Sequence, residues 1–177
     1  MLNQRHFERL SRLHRTAPSS FYADDEVNVG AGRAQATHPV VERDLDASGR
    51  VDPTVYHKLL SDAAMLAAGS LVEGQFVTIS SFNYYVTQMV GAGELQAAAQ
   101  VVHARPQLFT VNAVLTDGNG RVLAVGYGTY SPGPVAMAEE EVGTPGESQP
   151  AAPEETPPAF DAFATFLDTP FGQVGLN

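Results

Sequence analysis

The sequence predicts an α+β fold in which an antiparallel sheet packs on one long, buried helix. Three observations carry that expectation. "VYHKLLSDAAMLAAGS", residues 55–70, is almost entirely apolar or small and reads as a helix made for burial. Between residues 75 and 131, β-branched and aromatic residues dominate and alternate with polar ones, as strands do. "DGNG" at 117–120 joins two such runs, and glycine and asparagine tolerate the positive φ that a tight hairpin demands.

The elements follow in order. Phe7, Leu10 and Leu13 fall at helical spacing, so residues 3–15 are expected to form a short amphipathic helix within an N-terminal segment, 1–24. "VNVGAGRAQATHPVV" alternates weakly and is broken by Pro39, which predicts one or two strands between 25 and 50. Asp52 and Pro53 then start the long helix. A carboxylate there caps free amides, and proline is tolerated in the first turn. "QFVTISSFNYYVTQMV" is the next strand, punctuated by Gly91 and Gly93. "ELQAAAQVVHA" puts Leu95, Ala97, Ala99 and Val101 on one face, and "QLFTVNAVLTD" does the same with Phe109, Val111, Ala113 and Leu115. "RVLAVGYGTY" returns after the hairpin, completing a meander of about four strands over a main domain at 25–131. Residues 132–177 start as an acidic linker rich in proline and glycine. Phe160, Phe163, Phe166 and Leu167 then recur at near-helical spacing. They are expected to dock on the chain itself or on a partner subunit.

Composition excludes several classes of function. The chain has 177 residues, 44% of them apolar, and no apolar run of 18 or more. Its N-terminus lacks the apolar core of a secretory signal. Cysteine is absent, which removes disulfides and thiolate metal sites and fits a reducing cytoplasm. The net charge is −10, and all ten basic residues lie at or before Arg121. No basic stripe runs along the chain, so nucleic acid is not an expected partner. His38, His57 and His103 lack metal-ligand spacing and read as scattered surface histidines. No metal is expected.

The long helix carries the one chemical anomaly. At 100° per residue, Tyr56, Leu59, Leu60, Ala63, Leu66 and Ala67 form its apolar stripe. Asp62 lies at the stripe's edge beside Val55 and Lys58, while Ser61 lies opposite, among small residues. A carboxylate there reads either as a catalytic acid or as an i, i+4 partner of Lys58 on a flank that touches water.

Taken together, "VDPTVYHKLLSDAAMLAAGSL", "FVTISSFNYYV" and "GELQAAAQVVHARPQLFTVNAVLTDGNGRVLAVGYGTY" resemble the acyl-CoA thioesterases of the phenylacetate-degradation type, across about residues 25–131. That resemblance implies the hotdog fold, an antiparallel sheet wrapped around one central helix. It also implies a homodimer or a dimer of dimers. Members of that family place a His-Gly-Gly or His-Gly-Ser turn at the helix start, a carboxylate nine residues on, and a strand hydroxyl about eighteen residues later. Here the turn is absent. An ungapped match puts Asp52 at the histidine, Pro53 and Thr54 at the small residues, Ser61 at the acid, with Asp62 one residue late, and Ile79, between Thr78 and Ser80, at the hydroxyl.

The resemblance implies a candidate catalytic set of Asp62, Ser61, Asp52 and Ser80. The amides of Thr54 and Val55 would polarise a thioester carbonyl. Arg105 and Arg121, the only basic residues after Lys58, read either as contacts for coenzyme A phosphates or as solvated strand ends. Coenzyme A enters only as part of the substrate. Two readings stay open: a thioesterase acting on a small or aromatic acyl group, and a non-catalytic hotdog protein that binds an acyl ligand or a protein partner.

Overall fold

A computed structural model describes residues 4–16 and 25–137. The expected linker beyond residue 137 and the docking of 160–167 lie outside the described residues. Helices α1 (Gln4–Thr16) and α2 (Pro53–Gly69) accompany strands β1 (Glu26–Gly30), β2 (Arg33–Pro39), β3 (Gln75–Val86), β4 (Glu94–Arg105), β5 (Leu108–Asp117) and β6 (Val122–Ala136). All pairings are antiparallel, in the order β1-β2-β4-β5-β6-β3. The sheet wraps around α2, which is the hotdog arrangement. No helix among the described residues is long and apolar enough to cross a membrane.

Helix α2 starts where capping chemistry puts it. Asp52 is the N-cap, its side chain accepting from the Thr54 amide, and Pro53 opens the first turn. Tyr56, Leu59, Leu60, Ala63 and Ala67 are fully buried. Opposite them stand the inward residues of the sheet: Leu95 and Ala97 of β4, Val111, Ala113 and Leu115 of β5, and Leu123 and Tyr130 of β6. Facing alanines let the helix lie close to the sheet, and the longer side chains fill the space at its ends. Helix α1 closes one side of this core. Its Leu10 is buried against the C-terminal turn of α2, and His6 Nε2 lies 2.8 Å from the carbonyl of Gly69.

The four-strand meander is only partly realised. Strands β4, β5 and β6 form it, but β3 pairs with β6 rather than with β4. The segment after β3 is too long for a hairpin and crosses the end of the sheet instead. Its backbone bonds in turn to Leu123 of β6, to Val51 beside the helix start, and to Val40 beyond β2. Strand β6 also runs five residues past the expected domain end at 131, with Ala136 opposite Gln75. Pro132 and Pro134 are tolerated there because β5 leaves β6 at Tyr130, so a missing N–H on that side breaks no ladder bond.

Gly128 marks a close approach of β3 to β6. A Cβ there would sit 2.7 Å from the Phe82 ring and 2.8 Å from the Ser81 carbonyl oxygen. The backbone oxygen cannot swing aside. Gly128→Ala is therefore expected to cost about 1 to 3 kcal/mol through overpacking, measured by urea unfolding.

Candidate functional site

Asp62 is buried at 5% exposure, so the expected watery flank is not what surrounds it. Its ion pair with Lys58 is present, but α1 covers the site from above. The Lys58 side chain remains 38% exposed. His14 of α1 brings Nδ1 to 3.7 Å from Asp62 Oδ2. Both contacts fall on Oδ2, and among the described residues no hydrogen bond forms to Oδ1.

The carboxylate lines a pocket of about 180 Å³ between α1, α2 and β3. Leu10, Leu13, Met65, Leu66, Phe76 and Val77 supply apolar walls, and the polar side chains are Lys58, Asp62 and His14. An apolar cavity with a few convergent polar groups is the usual shape of a small-molecule site.

Behind Asp62 runs a buried chain of titratable groups. His14 Nε2 lies 3.3 Å from Asp25 Oδ2, and His38 Nδ1 lies 2.7 Å from Asp25 Oδ1. His38 Nε2 meets Asp44 Oδ2 at 2.9 Å, and that oxygen also accepts from the Val41 amide at 2.8 Å. Burial alone would push the His38 imidazole down, but its hydrogen bonds to Asp25 and Asp44 outweigh this and hold it above 6.5. Burial would likewise raise Asp25, and its bonds to His14 and His38 outweigh it and hold the carboxyl below 3.8. His38 is thus not the expected surface histidine. No group of metal-ligating residues forms among the described residues.

The other anticipated residues do not gather around Asp62. Ser61 is buried, and its hydroxyl donates to the Lys58 carbonyl at 3.1 Å, which holds it against its own helix. Asp52 works as a cap: Oδ1 takes the Thr54 amide at 2.8 Å and the Thr54 hydroxyl at 2.6 Å, and these bonds hold its carboxyl below 3.8. The Val55 amide donates to the Asp52 carbonyl at 3.0 Å. Both amides expected to polarise a carbonyl are therefore engaged, and Pro53 has none to offer.

Ser80 is exposed on β3, at the irregularity between Ile79 and Ser81. Arg105 bonds His103 and Arg121 pairs with Asp117. These arginines flank opposite ends of β5, about 30 Å apart, too far to share one diphosphate within a subunit. His57 is an exposed residue of α2 beside the rings of Phe82 and Tyr84, and partial desolvation lowers its pKa.

Tyr130 carries the one buried side-chain atom among the described residues without a hydrogen-bond partner, its hydroxyl. Burial first, then the charge of Asp62, raises the pKa of that phenol.

Comparison with known proteins rests on the fold. No protein-family model matches the chain, and no curated protein matches it. Solved structures do. The E. coli PaaI protein from the phenylacetic acid degradation operon is 16% identical, with a TM-score of 0.69 over 78% of this chain and 100% of that one. A thioesterase from Haemophilus influenzae is 20% identical, with a TM-score of 0.63 over 74% of this chain and 94% of its own. A mutant thioesterase from Pseudomonas aeruginosa is 14% identical, with a TM-score of 0.65 over 76% of this chain and 97% of its own. The likeness is one of fold, at identities that carry no residue-by-residue assignment.

Proposed function

We propose that the chain hydrolyses an acyl-CoA thioester of a small or aromatic acyl group, with Asp62 as the general base. The observation that carries this reading is a buried carboxylate on the wall of an otherwise apolar pocket. Lys58 and His14 both meet one of its oxygens, and no hydrogen bond forms to the other among the described residues. The acyl group would occupy the apolar walls. The water oxygen bonds to the carbonyl carbon, its proton passes to Asp62 Oδ1, the C–S bond breaks, and that proton goes to the departing thiolate. A free acid would meet the Asp62 charge, whereas a neutral thioester would not.

One observation favours the second reading, a hotdog protein that binds an acyl ligand or protein partner without turning it over. The Thr54 and Val55 amides, which would stabilise an oxyanion, are both bonded to Asp52. Release of free thiol from a panel of short, aromatic and long acyl-CoA thioesters separates the two. Hydrolysis of any of them supports the enzyme. Saturable binding without thiol release supports the binding protein.

Assembly as a homodimer, or a dimer of dimers, belongs to the same proposal. Strand β3 is a sheet edge twelve residues long, with Phe76, Ile79, Tyr85 and Val86 exposed along it. Such an edge invites pairing with a second copy. Sedimentation at micromolar concentration is expected to give the mass of a dimer, and a stable monomer there would contradict the proposal.

A further inference from the structure

We infer that α1 is part of the working site: His14 is a positioning residue that fixes the Asp62 carboxylate, and Asp25, clamped by His38, holds the His14 ring. The inference rests on the reading of Asp62 as a base. It adds a residue from α1, outside the sheet and the central helix.

The geometry is directional. A carboxylate acts as a base through one oxygen, and its other oxygen must be anchored so that the first keeps its aim. Lys58 cannot supply that anchor alone, because its side chain is 38% exposed and flexible. The His14 side chain is 6% exposed and has a partner on each ring nitrogen, Asp62 on Nδ1 and Asp25 on Nε2. Asp25 is fully buried and cannot drift, because its second oxygen is fixed by His38, and His38 in turn by Asp44. Asp44 is tied to the backbone at Val41. The chain of contacts thus runs from the loop after β2, through β2 and α1, to the middle of α2, and ends on the oxygen of Asp62 that does not face the reaction. Orientation of a working side chain by a carboxylate–histidine pair is a general device of active sites.

A histidine in this place could instead merely fill space between α1 and α2. Two replacements separate the roles. His14→Phe fills the volume and removes the hydrogen bond to Asp25 and the polar contact with Asp62, whereas His14→Gln keeps an N–H donor at similar reach. Both full-length variants are assayed for thiol release beside wild type and Asp62→Asn, with thermal melts to confirm folding. The inference expects His14→Phe to lower kcat roughly 10- to 100-fold with little change in KM, and His14→Gln to recover part of the loss. Should His14→Phe fail to fold, kcat of His14→Gln decides, and a value equal to wild type overturns the inference. Wild-type kcat in folded His14→Phe, beside an inactive Asp62→Asn, overturns the role of His14 alone. An inactive wild type, or an Asp62→Asn variant as fast as wild type, overturns the base reading and this inference with it.

Discussion

Replacing His38 with alanine is expected to destabilise the protein by about 3 to 5 kcal/mol, the usual cost of breaking a buried ion pair from one side. The Asp25 side chain is fully buried and that of Asp44 is 2% exposed. Without the ring between them, two carboxylates face each other across a dry gap. His14 still contacts Asp25, but Asp44 keeps only the Val41 amide. His38→Gln, which can still donate to one carboxylate, should cost less. Urea unfolding of all three proteins measures the difference, and a loss below about 1 kcal/mol in His38→Ala would show that the cluster is not a paired unit.

The same cluster gives stability a pH dependence with a definite sign. His38 has its folded pKa raised above 6.5, so its contribution is complete below 6.5 and is lost as pH rises through the raised value. Asp25 has its folded pKa lowered below 3.8, so its contribution is present above 3.8 and is lost as pH falls through the lowered value. The cluster therefore contributes most between about pH 4 and 6.5. The gap in stability between wild type and His38→Ala should be widest there and narrow by pH 9. A gap that is constant with pH would mean that His38 is neutral in the fold.

The sheet and central helix were legible because their signals are local. Period-two alternation in β4 and β5, the Asp52–Pro53 start of α2 and the Asp117–Gly120 turn each lie within a few consecutive residues. The place of β3 was not legible, since nothing in its own sequence says that it should skip β4 and pair with β6. Asp62 stood out as a carboxylate inside an apolar helix. Asp52 carried two meanings at once, acid and cap, and its bonds to Thr54 make it a cap.

The histidine–carboxylate chain was invisible for a different reason. Asp25 and His38 are 13 residues apart, His38 and Asp44 are 6 apart, and His14 comes from a separate helix. No periodic pattern joins them. Alone, each reads as an ordinary polar residue, and only the burial of β2 and α1 against α2 turns them into a unit. The available hint was the weak alternation of β2, which puts His38 on the same inward face as Ala34 and Ala36.

The claim that organises the site is that Asp62 does chemistry, and Asp62→Asn tests it most directly. The substitution is nearly isosteric and Lys58 can turn to solvent, so the fold should survive. Loss of a general base costs about 10² to 10⁴-fold in rate, or roughly 3 to 5 kcal/mol of barrier. Loss of the partly exposed pair with Lys58 alone would cost about 1 kcal/mol of stability or less and would leave the rate untouched. Thiol release from acyl-CoA thioesters, measured on folded wild type and Asp62→Asn side by side, is predicted to fall at least a hundredfold, and an undiminished rate in the variant would contradict the account.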